Sequence, residues 1–78
     1  MSALREKFGN RLKTIRLARK MSQEQFSELL DISVDFLSLI ERGINAPSFE
    51  NLEAFSAQLA IPVHELFVFE ATTASPKD

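Results

Sequence analysis

The chain has 78 residues, of which 45% are hydrophobic and 26% are charged, a balance typical of one small globular domain. It contains no cysteine and one histidine, His64, which excludes a disulfide scaffold, a cysteine-based zinc site and a thiol nucleophile. No apolar run approaches the roughly 20 residues of a membrane span, and the N-terminus lacks the apolar core of a signal peptide. We therefore expect a cytoplasmic protein that is not an enzyme and needs no cofactor, metal or membrane.

The charge is divided unevenly along the chain. The net charge is −2, but residues 1–20 carry seven basic side chains against one acidic, a formal charge of +6. The remaining 58 residues carry two basic side chains against ten acidic, a formal charge of −8. This division fits either a polyanion that binds the basic end or a solvated helix face without a binding role.

A first helix is predicted over residues 3–19. Its apolar side chains recur at helical spacing, and Leu17 and Ala18 widen the stripe that is formed by Leu4, Phe8, Leu12 and Ile15. Gly9 lies inside this helix, where glycine costs up to about 1 kcal/mol relative to alanine. We interpret Gly9 as a point of close packing with no room for a side chain.

Two short helices follow, joined by a short turn. Ser22 and Gln25 have the spacing of a capping box, which predicts a helix over 23–30 with Phe26, Leu29 and Leu30 buried. Ser33 can cap a third helix over 34–42, and Gly43 is placed to end it in the left-handed conformation. The spacing is that of a helix-turn-helix.

The last two predicted helices complete the domain. Ser48 can cap a helix over 49–60 that presents one apolar face, composed of Phe49, Leu52, Phe55 and Leu59. Pro62 can begin a fifth helix over 63–70. The predicted fold is all-α, with five short helices in a domain of residues 1–70 and a flexible tail of residues 71–78.

Several segments together resemble the lambda-repressor-like helix-turn-helix family, the Cro/CI-like or XRE-type domain. The resemblance extends over about residues 8–67, at the family's spacing. The segments that carry it are FGNRLKTIR (8–16), MSQEQFS (21–27), IS (32–33), LSLIERG (37–43), APS (46–48) and LF (66–67). The resemblance implies a partner, double-stranded DNA, which a homodimer of the chain binds.

The resemblance also implies roles for particular residues. Arg16 and Glu41 match a pair that bridges the first and third helices; the alternative for Arg16 is a phosphate contact. Gln23, Arg42 and Asn45 match phosphate-contact positions, which set register and affinity but carry no sequence information. Within the basic first helix, we expect Arg11 to contact phosphate as well.

The outward side of the third helix departs from the family's usual pattern. Base reading falls to Val34, Asp35, Ser38 and Leu39, whereas Leu37 and Ile40 point into the core. Family members often carry Gln, Arg, Lys or Asn at the outward positions, and these form bidentate bonds to base edges. The chain instead has two apolar residues, an acid and a hydroxyl.

The C-terminal part offers a candidate partner surface. Phe67, Val68 and Phe69 are consecutive, so at least one must be exposed in a monomer, and we expect them to form a dimer interface. His64 is expected to be exposed and inert, and Glu24 and Glu28 to lie on a solvated face.

Two functions remain open. The first is a sequence-specific DNA-binding regulator, a repressor or autoregulator acting as a homodimer that reads the major groove with the third helix. The alternative is a protein-interaction module on the same fold that no longer reads bases. The salt dependence of duplex binding separates them, because only a DNA binder loses affinity steeply with salt.

Overall fold

The computed structural model describes residues 3–69 and contains four α-helices followed by one short 3₁₀-helix. The α-helices are α1 (Ala3–Ala18), α2 (Gln23–Leu30), α3 (Val34–Glu41) and α4 (Phe49–Leu59). The described residues contain no strand, so the all-α prediction is confirmed. The predicted tail of residues 71–78 lies outside the described residues.

The predicted fifth helix is present as a shorter segment of the 3₁₀ type. Residues Val63–Phe67 form a 3₁₀-helix, and Val68 is already extended, with φ −85° and ψ 108°. Pro62 begins this segment as expected but provides no side-chain cap. The segment holds only one fully buried side chain, Leu66, so it has little apolar area to support a longer helix.

Serine caps begin α2, α3 and α4, as the sequence predicts. The Ser22 hydroxyl accepts a hydrogen bond from the Gln25 amide at 3.0 Å, and the Gln25 side chain accepts one in return from the Ser22 amide at 2.9 Å. The Ser33 hydroxyl accepts from the Phe36 amide at 3.0 Å. Ser48 and Asn51 form a second reciprocal pair. Each such cap contributes about 1 kcal/mol and sets where the helix begins.

The turn between α2 and α3 depends on a left-handed residue. Asp31 has φ 60° and ψ 44°, and its amide donates to the Glu28 and Ser27 carbonyls. Aspartate tolerates this conformation better than most residues. Gly43 closes α3 in the same region, with φ 78°. These two residues determine the angles at which the chain enters and leaves α3.

One apolar cluster holds the helices together. α1 packs on α3 and on the 3₁₀-helix, while α2 packs on α3 and α4. The buried hydrophobic side chains are Phe8, Leu12, Ile15, Phe26, Leu30, Leu37, Ile40, Leu52, Phe55, Leu59 and Leu66.

Four residues expected in apolar faces are exposed instead. Leu4 and Leu17 are 56% and 55% exposed, Ala18 is exposed, and Phe49 is 83% exposed. Leu17 lies about 200° around the helix from Ile15 and therefore points away from the core. Leu4 is the second residue of α1 and Phe49 the first of α4, where fewer neighbouring elements cover a side chain.

α1 crosses α3 at Gly9. A Cβ at this position would overlap the Ile40 carbonyl oxygen and would lie 2.9 Å from the Glu41 carbonyl oxygen. The predicted close approach is therefore present. Gly9 packs against the backbone at the C-terminal end of α3.

Candidate nucleic-acid interface

The solvent-facing side of α3 is continuous over two turns. Successive helical residues are about 100° apart, so Val34, Asp35, Ser38 and Leu39 share one side with Arg42, which caps the helix. Val34 and Asp35 are exposed, and Ser38 and Leu39 are half-buried. On the opposite side, Leu37 and Ile40 are completely buried. The core thus fixes which side chains α3 presents.

The N-termini of α2 and α3 carry unpaired backbone donors. The amides of Gln23 and Glu24 in α2, and of Val34 and Asp35 in α3, have no acceptor within residues 3–69. Unpaired amides and the helix dipole favour an anion such as phosphate at these positions.

A buried ion pair joins α1 and α3. Arg16 donates to both carboxylate oxygens of Glu41, from Nε to Oε2 at 2.8 Å and from Nη2 to Oε1 at 3.1 Å. The two side chains are 10% and 3% exposed. A third Arg16 nitrogen, Nη1, donates to the Met21 carbonyl at 3.0 Å. Arg16 is therefore occupied within the protein, and the alternative of a free phosphate contact is wrong.

Gln23 completes this junction from the first position of α2. Its Nε2 donates to Glu41 Oε1 at 2.9 Å. One amide hydrogen is thereby held, which leaves the second hydrogen and Oε1 for another partner. The ion pair therefore orients a polar side chain at the N-terminus of α2.

The loop after α3 presents two polar side chains. The amides of Ile44 and Asn45 both donate to the Leu39 carbonyl, at 2.9 and 3.2 Å, which holds the loop against the end of α3. Arg42 and Asn45 are exposed, and their side chains make no hydrogen bond or ion pair within the described residues.

The helix-turn-helix family profile HTH_3 matches residues 12–66, a range that includes α2, α3 and the loop after α3. The chain belongs to the helix-turn-helix family. α2, α3 and the loop after α3 therefore follow one another in the order and at the spacing of the family.

Similar proteins extend this result. Control protein C.MunI of a Mycoplasma species is 40% identical over 68 residues, 86% of this chain and 92% of that protein. The immunity repressor protein of Bacillus phage phi105 is 42% identical over 55 residues, 70% of this chain and 38% of that protein. The crystal structure of the restriction-modification controller protein C.AhdI from Aeromonas hydrophila matches with a TM-score of 0.78 and 33% identity, over 85% of this chain and 100% of that one. The helix-turn-helix chain is a DNA-binding transcriptional regulator.

Two basic residues of α1 contact different parts of the protein. Arg11 Nε donates to the Glu65 carbonyl at 3.0 Å, so Arg11 faces the 3₁₀-helix. Arg5 Nη1 instead donates to the Ile44 carbonyl at 3.3 Å, beside Asn45. Sequence reasoning missed Arg5, although it precedes Gly9 by one turn on the side of α1 that meets α3. That spacing is the signal that could have found it.

The three consecutive apolar residues at the C-terminal end differ in exposure. Phe67 is half-buried, and its ring centroid lies 5.1 Å from that of Phe8. Val68 is 53% exposed. Phe69 lies beside the outer face of α1, in a groove that it shares with Lys7, Asn10, Arg11, Lys13, Thr14 and Leu17. The Phe67 and Phe69 rings nevertheless meet edge to face, with centroids 6.2 Å apart.

Other candidate sites lie outside this surface. His64, Glu24 and Glu28 are exposed, as expected. Among the residues that the structure describes, no cluster of His, Asp and Glu could hold a metal ion, and no helix is long and apolar enough to cross a membrane.

Proposed function

We propose that this regulator binds double-stranded DNA as a homodimer in the cytoplasm and reads the major groove with α3. The observation that carries the proposal is the exposed side of α3, flanked by two helix N-termini and by uncommitted side chains at Arg42 and Asn45. Phosphate contacts by Gln23, Arg42, Asn45 and the α2 N-terminus would position α3. Arg11 remains a proposed α1 contact, and Arg5, which reaches the loop next to Asn45, is a second α1 candidate for this group.

The chemistry of α3 favours particular base contacts. Val34 and Leu39 can offer only apolar contact, and the thymine methyl is the apolar feature of the major groove. Ionised Asp35 can only accept a hydrogen bond, and cytosine N4 is a donor. Ser38 fits either kind of base. We therefore expect thymine and cytosine contacts to outweigh bidentate guanine contacts, with further specificity from DNA shape.

The regulated genes are proposed from the relatives. C.MunI and C.AhdI match over nearly their whole length, whereas the phage repressor matches over 38% of its length. We assign the chain to the control of restriction-modification genes, with its own gene as a target. As a two-fold dimer, it would bind inverted half-sites about 34 Å apart.

Selection of bound duplexes from a random pool tests sequence specificity directly. The expected product is an inverted repeat with one helical turn between the half-site centres. Duplexes from upstream of the chain's own gene, compared with scrambled duplexes, test autoregulation. If no duplex binds even at low salt, the chain does not regulate by DNA contact, and the interaction-module function takes its place.

Arg42→Ala is expected to weaken the binding of all duplexes by a similar factor. The variant removes one phosphate contact, so the slope of log affinity against log salt should become shallower by about 0.9. Fluorescence anisotropy at several salt concentrations measures this slope. Lys7→Ala is the matched control, because Lys7 is an exposed cation on the outer face of α1. Equal salt-dependence slopes for Arg42→Ala and Lys7→Ala would show that Arg42 does not contact phosphate.

Asp35→Ala is expected to reduce discrimination at one base pair of each half-site while non-specific affinity stays equal or rises. The variant removes an acceptor for cytosine N4 and also a negative charge that faces phosphate. Binding to a panel of single-base operator variants measures the effect. Glu53→Ala removes an exposed acid from α4 and should leave the panel unchanged. An unchanged panel for Asp35→Ala would show that α3 does not read bases there.

A further inference from the structure

The outer face of α1 carries a groove that the proposed reading of DNA by α3 does not use. This α1 groove has a volume of about 500 Å³ and is lined by Phe69 and by six residues of α1. Two of its residues are apolar: Leu17, which is 55% exposed, and Phe69, which is half-buried. Exposed apolar side chains that line a concave surface are suited to a partner.

The lining of the α1 groove is basic. It contains three cations, Lys7, Arg11 and Lys13, and no acid among the described residues. Lys7 and Lys13 make no hydrogen bond or ion pair within residues 3–69. Glu6, the only acid of α1, lies against Gly43 at the end of α3 instead. The groove therefore holds positive charge that no described side chain pairs.

Most of the α1 groove faces away from α3. Gly9 marks the side of α1 that packs on α3, and Lys7 and Thr14 lie about 160° and 140° around the helix from it. Lys13 lies nearer to that side, at about 40°. A partner in the groove would thus leave the exposed side of α3 open to DNA.

We propose that the α1 groove binds an acidic peptide segment of another protein, with one apolar side chain of the segment against Leu17 and Phe69. Carboxylates on either side of this anchor would pair with Lys7 and Lys13. An apolar centre inside a polar rim is the usual anatomy of a protein interface. Lysine suits such a rim, because its stem can lie along apolar surface while its ammonium group stays in water. The opposite charges would speed the encounter and fix the register of the segment.

A duplex fits the α1 groove less well than an acidic peptide does. The phosphate backbone gains affinity from cations, but it carries no apolar side chain to cover Leu17 and Phe69. The helix N-termini beside α3 offer phosphate a surface that is free of this apolar area.

The chain itself is also a poor source of the occupant. Residues 70–78 contain two acids and no large apolar side chain, so they lack the anchor. A second copy could offer Glu24 and Glu28 of α2, which are exposed. A contact between two different surfaces is heterologous, however, and continues into rings or filaments. Such growth does not suit a two-fold dimer.

Fluorescence anisotropy with a synthetic peptide, in the absence of duplex, tests the proposal. The labelled peptide has a central phenylalanine that is flanked on each side by glutamates. We expect the full chain to bind it, and Lys7→Glu combined with Lys13→Glu to weaken this binding at least tenfold. Arg11 is left unchanged, because it is also a candidate phosphate contact.

Lys20→Glu combined with Arg42→Glu is the matched control for this pair. It changes the net charge by the same amount, at exposed cations outside the α1 groove. Its affinity for the peptide should stay close to that of the wild type. Equal losses for the two pairs would mean that the peptide responds only to net charge, and would overturn the proposal.

The apolar anchor is tested by a cycle between the chain and the peptide. Leu17→Ser should weaken the binding of the phenylalanine peptide about fivefold, but should not change the binding of a peptide with serine in place of phenylalanine. Leu4→Ser is the matched control, since Leu4 is 56% exposed and lies outside the α1 groove. The same loss for both peptides, or no loss for either, would show that no apolar side chain enters the groove and would overturn the proposal.

Urea unfolding checks that the variants remain folded. All the substituted positions are exposed, so the midpoints should stay near that of the wild type. If the charge-reversed pair lowers the midpoint, Lys7→Gln combined with Lys13→Gln replaces it, with an expected loss of peptide affinity of at least threefold. Wild-type affinity in that folded pair would overturn the proposal.

Added duplex distinguishes a peptide site from a second DNA site. The peptide should remain bound when one equivalent of duplex is added, because most of the groove faces away from α3. Complete displacement would assign the groove to DNA and overturn the proposal. Because peptide binding is measured first without duplex, a chain that binds no DNA would overturn the proposed function and leave the peptide result standing.

Sedimentation equilibrium distinguishes the peptide from a second copy of the chain. Lys7→Glu combined with Lys13→Glu should associate as the wild type does. Weaker self-association of this pair, with normal self-association of the Lys20→Glu and Arg42→Glu control, would assign the groove to a second copy and overturn the proposal.

Discussion

Gly9→Ala is expected to destabilise the domain by about 2–3 kcal/mol. In an exposed helix interior the same change would stabilise by up to about 1 kcal/mol, since alanine is the better helix former. Here the new methyl group would overlap the Ile40 carbonyl oxygen and press on that of Glu41. Both atoms belong to the backbone and cannot move aside as a flexible side chain can. α1 and α3 must therefore separate.

Urea unfolding measures the sign of this effect, which helix propensity and packing predict in opposite directions. Asn10→Ala is the matched control, because Asn10 is exposed on the next position of α1. It should be neutral or slightly stabilising. If Gly9→Ala raises the urea midpoint as Asn10→Ala does, the two helices do not approach as closely as the structure indicates.

Arg16→Ala and Glu41→Ala are each expected to destabilise the domain by about 3–5 kcal/mol, because each leaves an uncompensated charge in a buried place. Arg16→Ala leaves the Glu41 carboxylate with only the Gln23 amide as a partner. Glu41→Ala leaves Arg16 with only the Met21 carbonyl. The double variant removes both charges, so it should lose less than the sum of the single losses. We expect a coupling free energy of about 2 kcal/mol.

A double-mutant cycle in urea measures this coupling. A 78-residue domain has roughly 4–12 kcal/mol of total stability, so the single variants are measured in a stabilising osmolyte. Glu41→Gln and Arg16→Lys provide a milder cycle in case the alanine variants do not fold. Arg42→Ala and Glu53→Ala remove exposed charges of the same types and should change stability by less than about 0.5 kcal/mol. Additive losses in the cycle would mean that the two side chains do not act as a pair.

Local chemistry allowed most of the helical organisation to be predicted from the sequence. The serine caps at Ser22, Ser33 and Ser48 act on amides three residues away, so no distant contact is needed to place these helix starts. Each predicted boundary of α1 to α4 lies within one residue of the observed one. The outward set of α3 also followed from helical spacing, because Leu37 and Ile40 mark the side that must be buried.

The exposure of apolar residues near helix ends was decided by the tertiary structure. Helical spacing put Leu4 and Phe49 in apolar faces, but burial requires another element to reach the same place. The same holds for the long basic side chains of α1. Periodicity does not distinguish Arg11, which turns to the 3₁₀-helix, from Arg5, which reaches the loop after α3.

The sequence by itself therefore determined the all-α class, the starts of α2, α3 and α4, the side of α3 that faces solvent and the family to which the chain belongs. The first three depend on neighbours within one or two helical turns, whereas the family follows from the order and spacing of short motifs along the chain. The tertiary structure decided that the C-terminal segment is a 3₁₀-helix, that Gln23 is held by Glu41, and that Phe49 projects beside an open groove. These properties depend on residues 18 or more positions apart in the chain, or on the surface that several elements leave uncovered.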